Sequence, residues 1–364
     1  MSLNQPPSRL KPQTLVLGAA IVVAIVFFVG FALTAEFGVR PTRDGRNRAV
    51  NVRGTPSPRP SPSPSPSPDP KETLVIHATG DVNLDPEYVP NLTDDDFAYP
   101  WSGVADLFQS DDLTIVNLEC PVSDRGEELD KEFTFRGDPD AVPAMREAGV
   151  EVANIGNNHA YDYGPTAFLD TIDHLEENDV AVVGGGEDDE AATKPAVFEM
   201  KGWKVAVVGI GNVVEPAPEA VAAPGHPGVA CDEDIDCMVG AVERADEVAD
   251  LVFVTVHWGI ELRPEPLPEQ EQIAEAVIDA GADAVFGHHS HRLGSLESYK
   301  NRPIFWSLGN FVWPAFSTEG ATTGVARVTV TPDRNIESVI LPAVIDPGGH
   351  TVLRQQQQEE DEGD

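Results

Sequence analysis

NIGNNHAYDYG, residues Asn154–Gly164, is the stretch whose reading decides the fold. The largely apolar run Val150–Ile155 ends in two amides, an imidazole and, three positions later, a carboxylate. An apolar run that breaks into clustered polar groups reads as a buried strand delivering side chains to its C-terminal edge, where open α/β sheets place their sites. Asn158, His159 and Asp162 then share one small space. Histidine can shuttle a proton or bind a metal, an amide oxygen is a hard ligand, and a carboxylate can fix an imidazole tautomer. No one of these readings is specific by itself.

The same grammar recurs outward in both directions. Leu74–Ala78 leads to Thr79-Gly80-Asp81, and Leu113–Val116 delivers Asn117 and Glu119. Leu251–Val256 ends at His257, with Glu261 shortly after. Ala284–Phe286 precedes Gly287–His291, and Ile304–Trp306 leads to Ser307, Gly309 and Asn310. Helices are predicted over Thr166–Glu177, Met238–Ala249 and Glu269–Ala280, a hairpin at Ala196–Met200 and Lys204–Ile210, and closing strands at Val325–Val330 and Ile336–Leu341. This alternation predicts a layered α/β domain with some antiparallel pairing near its end.

Five of the nine histidines fall in these bursts. Asp81, Glu119, Asn158, His257, His289 and His291 form a mixed nitrogen and oxygen donor set that suits one or two divalent ions such as Mn, Fe or Zn. On an extended segment, HxH alternation points His289 and His291 to one side and His288 away. His77 reads as a satisfied core residue, and His174, His226 and His350 fall on a helix surface, a loop and the tail. For any one of these polar residues, a helix cap or a turn-stabilising side chain is the competing reading.

Leu15–Leu33 carries no charge, and nineteen residues at 1.5 Å give about 29 Å, enough to cross a bilayer core. We expect a short N-terminal tail (1–14), an uncleaved anchor (15–33), a basic and then Ser/Pro-rich linker (34–70), the globular domain (71–353) and an acidic tail (354–364). A cleavable signal peptide is the alternative, and the Arg residues following the span would by themselves favour a cytoplasmic domain. The Ser-Pro repeat over Thr55–Pro70 reads as a stand-off spacer. Cys231 and Cys237 bracket CDEDIDC, and their closure would suit an oxidising compartment. The expected location is therefore extracytoplasmic, on a single-pass membrane anchor.

The chain has 24 Lys+Arg and 61 Asp+Glu; the first seventy residues hold 8 and 3 of these, leaving 16 and 58, a net of −42. Such a surface repels nucleic acid and anionic headgroups.

Taken together, TGDVNLD, NLECPVS, NIGNNHAYDYG, VHWGIEL, GHHSH and FWSLGNF, in this order, resemble the CapA/PgsA family of bacterial poly-γ-glutamate capsule biosynthesis proteins over roughly Leu74–Val312. The resemblance implies a metallophosphoesterase-like fold, a four-layer αββα sandwich, and an extracytoplasmic, membrane-anchored location. It also implies that Asp81 is a first metal aspartate, with Asn83 where a second-position histidine is expected, and that Glu119 replaces a bridging aspartate. Asn158 and His159 match the motif of a metal-binding amide and a proton-donating histidine, His257 a lone metal histidine, and His289 with His291 the terminal pair. His159 oriented by Asp162 is then the general acid, and Glu261 a ligand for water or a polar substrate group. Two functions follow from different classes: a metal-dependent hydrolase of phosphoesters or amides, or a metal-stabilised surface for an anionic polymer such as poly-γ-glutamate, working beside membrane synthase subunits. At −42, polyanion binding would depend on bridging metal.

Overall fold

The computed structural model describes residues 70–93, 96–212 and 218–354. The expected anchor, the linker before Pro70 and the tail from Gln355 lie outside the described residues, and no helix among those described is long and apolar enough to cross a membrane.

Two mixed sheets carry the fold. The first is built from β1 (Leu74–Val82), β2 (Leu113–Leu118), β3 (Val152–Asn154) and β4 (Ala181–Val183), joined by β13 (Asn310–Val312), β14 (Thr322–Val330), β15 (Ile336–Ile345) and β16 (Thr351–Leu353). Its order is β16-β15-β14-β1-β2-β3-β4, with β13 beside β1. The second contains β6 (Ala196–Met200), β7 (Trp203–Asn212), β9 (Leu251–Trp258), β10 (Ala284–His288), β11 (Leu296–Tyr299) and β12 (Arg302–Phe305), in the order β11-β12-β10-β9-β7-β6. A short pair, β5 (Gly185–Gly186) and β8 (Gly228–Val229), stands apart.

Three apolar cores separate the layers. Between the sheets, Ile76, Ile115 and Val152 meet Val205, Phe253 and Phe286. On the outer face of the first sheet, Val116 and Ala153 pack with Val142 and Met145 of α2 (Ala141–Glu147) and with Phe168 and Leu175 of α3 (Gly164–Glu177); α1 (Ala105–Phe108) adds Phe108. On the outer face of the second, Val254 and Val285 pack with Met238 and Val242 of α5 (Ile235–Asp246) and with Ile273 and Val277 of α6 (Pro268–Asp279). Two single-turn helices, α4 (Asp189–Ala192) and α7 (Thr318–Ala321), complete the set. The mixed α/β layering expected from the alternation is present. Central strands covered on both faces are largely apolar, and all eight residues of β9 are buried, Thr255 and His257 among them.

The elements run longer than the apolar signal. β1 continues through Gly80-Asp81-Val82 and β9 through His257-Trp258, each carrying one buried charged or imidazole side chain next to its last residue. The hairpin turns at Lys201 and Gly202, with φ 49° and 78°, the left-handed pair that a two-residue hairpin requires. His350 is not in a loose tail; it directly precedes β16 and lies 2.9 Å from the Ser102 hydroxyl.

Registration sets the polar residues in rows. Asn310, Asp81, Asn117 and Asn154 lie side by side across β13, β1, β2 and β3, while His257 and His288 pair across β9 and β10. A β-carbon on Gly80 would come within 2.0 Å of the Gly309 carbonyl oxygen, so only glycine lets β1 and the β12–β13 connection approach here. Gly80→Ala should cost about 3 kcal/mol through overpacking, read as a lowered urea midpoint; an unchanged midpoint would show that the two backbones can part freely.

Candidate metal centre

The site lies where the parallel strands of both sheets end. Asp81 is the last residue but one of β1, Glu119 follows β2, Asn158 and His159 follow β3, His257 is near the end of β9, and His289 and His291 follow β10. Asp81, Glu119 and His257 are fully buried, and Asn158, His159 and His289 nearly so.

Two donor sets share Glu119. One joins Glu119, His257 and His289, the other Asp81, Glu119 and His291, and in each the donor atoms lie within 4.8 Å of one another. Glu119 Oε1 is 3.5 Å from His257 Nε2 and 3.7 Å from His291 Nε2. His257 Nε2 also faces Asn158 Oδ1 at 2.8 Å and His289 Nδ1 at 3.0 Å. His291 Nδ1 sits between Asn310 Oδ1 at 2.9 Å and Asp81 Oδ2 at 3.1 Å.

Among the described residues, neither carboxylate oxygen of Glu119 has a hydrogen-bond partner. Burial, then the negative charges of Asp81 and Glu261, push its carboxyl well above the ordinary range. Burial would raise Asp81 too, but contacts with His288 and His291 and their neighbours' charge hold it well below. Burial, then His289, pushes His257 well down, and burial with the His291 charge takes His289 to about 4, so both are neutral imidazoles, the form that ligates metal. For His291 the lowering by burial is outweighed by the Asp81 hydrogen bond and charge, and it titrates above its usual value. Two orphaned oxygens beside the Nε2 atoms of His257 and His291 fit a divalent cation.

Amides hold this set in place. Asn117 Nδ2 bonds Asp81 Oδ1 at 3.0 Å and reaches His257 Nδ1 at 3.2 Å; its Oδ1 accepts from Asn154 at 3.0 Å and Asn157 at 3.3 Å. Asn83 turns its oxygen to the Asp85 backbone N–H and belongs to neither donor set.

His159 Nδ1 is 2.7 Å from Asp162 Oδ2, which also accepts the Phe135 N–H. Burial lowers the His159 pKa against the pull of Asp162. Lys131, absent from the sequence-based site, bonds the other Asp162 oxygen and donates to the Asn158 carbonyl at 2.7 Å. Its signal was faint: one cation inside the acidic run EELDKE. Glu261 is exposed, lining the two cavities that meet at the site, of about 830 and 190 Å³.

Two expectations are corrected. His289 and His291 do not reach the centre by strand alternation, because both have left-handed backbones, φ 87° and 51°, in a turn after β10. Nor does His288 point away: still within the strand, its Nδ1 lies 3.5 Å from Asp81 Oδ1 while Nε2 bonds Thr255 at 3.0 Å, so it supports a ligand from below.

Comparison with known proteins adds a family. The model described as "Bacterial capsule synthesis protein PGA_cap" matches residues 75–315. "Capsule biosynthesis protein CapA" of Bacillus anthracis is 34% identical over 223 residues, 59% of this chain and 54% of its own. A "probable polyglutamine synthesis accessory protein" of Mycobacterium tuberculosis is 31% identical over 228 residues, 60% of each. The chain thus spans a little over half the length of the curated relatives it matches. Among solved structures, a phosphatase from Mycoplasma pneumoniae aligns with 79% of this chain and 97% of its own, at 15% identity and a TM-score of 0.49.

Because Glu119 and His291 both titrate high without metal, ligation must expel protons. Affinity for Mn²⁺ should therefore rise with pH, with proton release seen as buffer-dependent binding enthalpy. A pH-independent affinity would remove His291 and Glu119 from the ligand set.

Proposed function

The chain belongs to the bacterial capsule synthesis protein family, and from that premise we propose that it is an accessory protein of capsule-polymer biosynthesis or export, carrying a divalent-metal centre on Asp81, Glu119, Asn158, His257, His289 and His291. One observation carries the metal centre: Glu119, wholly out of water, has two oxygens with no donor in a shell of histidines. Leaving a buried carboxylate unpaired is costly, and a cation shared by both donor sets removes the cost. The donor chemistry suits Mn, Fe or Zn. Such an ion supplies Lewis-acid polarisation and an activated nucleophile.

The protein's own groups then divide the remaining work. Asn117 and Asn310 fix ligand orientation. With its Nδ1 facing Asp162, neutral His159 carries its proton there, so Nε2 must take a proton before it can give one to a leaving group. Lys131 ties Asp162 to the Asn158 turn.

We place the domain outside the cytoplasm, on the Leu15–Leu33 anchor. What supports this is the Cys231–Cys237 disulfide, a bond that persists in oxidising compartments, while Cys120 stays a buried free thiol. The polymer proposed as partner is poly-γ-glutamate, by way of the resemblance carried by the sequence motifs and the capsule-synthesis description of the family, alongside membrane synthase subunits. The second reading, a stand-alone metal-dependent phosphoesterase or amide hydrolase, is favoured by the His159–Asp162 pair, which polymer binding alone does not need.

Elemental analysis of the full chain should find tightly bound divalent metal, at least halved in Asp81→Ala and in His291→Ala with the fold retained by circular dichroism. Full stoichiometry in both variants would refute the centre. Binding to poly-γ-glutamate should require that metal and vanish with chelator, since a domain at −42 repels the polymer otherwise; binding that survives chelation would overturn the bridging role. Turnover of a phosphodiester without any polymer affinity would favour the second reading.

A further inference from the structure

Half of the exposed large hydrophobic side chains among the described residues stand at one place. Of eight, Phe133, Ile260, Leu262 and Phe316 border the cavities over the metal centre, and Phe316 is 74% exposed. On a surface this acidic, such crowding marks a contact with something. Leu262 adds a second cost, since its φ of 61° is a left-handed backbone that a bulky side chain seldom adopts.

Behind this rim is an aromatic wall that touches the site itself. Tyr88 packs on Phe135, Trp313 and Phe316, with ring centroids 4.6, 5.6 and 5.8 Å apart. Phe135 lies 4.4 Å from the His159 ring and Trp313 4.7 Å from the His291 ring. Together they line the cavity of about 190 Å³. At ~30 Å³ per water, that is space for about six waters, or one six-membered ring.

Charge narrows the occupant further. The neighbouring cavity of about 830 Å³ is bordered by Asp130, Glu132, Glu233, Glu261 and Glu269, while its one cation, Lys131, is engaged by Asp162 and the Asn158 carbonyl. At the aromatic cavity the guanidinium of Arg292 already donates to the His291 carbonyl at 2.7 Å. Among the described residues the larger cavity thus has no free cation to receive a second anionic group, while the smaller keeps only the remaining N–H groups of Arg292 at its edge.

We infer that the aromatic cavity is a subsite for an uncharged, ring-sized apolar group joined directly to a single oxyanion at the metal centre, the chemistry of an aryl phosphoester. Its position beside His159 puts that group on the leaving side. The inference rests on the metal centre and on the second, hydrolytic reading proposed above.

The test is calorimetry on the full chain loaded with Mn²⁺, its metal content measured separately, using phenylphosphonate and methylphosphonate, which share a headgroup and cannot be hydrolysed at phosphorus. Phenylphosphonate should bind about tenfold tighter, the step expected for a ring gaining aromatic walls. That preference should shrink to about twofold in Phe316→Ala combined with Leu262→Ala, with methylphosphonate affinity and metal content unchanged. Both substituted side chains are exposed, so neither change opens a cavity in the core. Equal affinities in the parent, or a preference that survives both substitutions, would overturn the subsite and leave the metal centre standing. No binding of either probe to metal-loaded protein would also overturn it; failure to load metal at all would bring down the centre as well.

Discussion

A carboxylate removed from water with nothing to donate to it is among the least favourable groups a fold can hold. Glu119 is such a group, and much of the surrounding structure can be understood as the apparatus that keeps it there. Its backbone N–H is tied to the Val82 carbonyl at 2.7 Å, so it cannot swing out with its strand end. Asp81 and the histidines stand on either side, themselves pinned by Asn117, Asn310 and Thr255. These amides and the hydroxyl contribute no charge; they fix where the charged and basic groups point, so that opposing pKa shifts arise within a few ångströms.

The two sheets meet at this point for a reason visible in their strands. β2 and β9 are buried along their whole length, so their sequences stay largely apolar, and the polar side chains of the site gather at their C-terminal ends. Asn154 illustrates how closely the sheets approach: β-carbons on Gly184 and Gly209 would lie 2.1 and 2.5 Å from its side-chain oxygen. The amide network that positions the site passes through a seam that glycine keeps open.

The layered architecture and the gathering of Asp81, Glu119, Asn158, His159 and His257 were legible because apolar runs and polar bursts follow from burial alone. The role of Lys131 was not, since its partner Asp162 is 31 positions away and a lysine in an acidic run looks like a solvated one. The turn at His289–His291 was misread for a related reason. Alternation describes only an extended chain, and nothing in GHHSH announces two left-handed residues. His288 was set aside by the same assumption, although it is the last residue of β10 and faces Asp81 across the sheet gap. The aromatic wall escaped notice because Tyr88, Phe135 and Trp313 come from three separate segments whose meeting is a property of the tertiary fold.

β1 has one more consequence, a mechanical one. Lys71 bonds Asp250 at 2.9 Å and covers the Trp203 ring at 4.0 Å, which clamps the start of the domain just before β1. From Leu74 the strand then runs between β14 and β2 to Asp81, about 23 Å further on. A force applied to the chain ahead of Lys71 would enter at the end of β1 remote from the site and load the flanking hydrogen bonds in shear, many at once, rather than peeling them singly. Should that strand slip, Asp81 would move with it, so the strand that first takes the load is also the one whose failure would take the site apart.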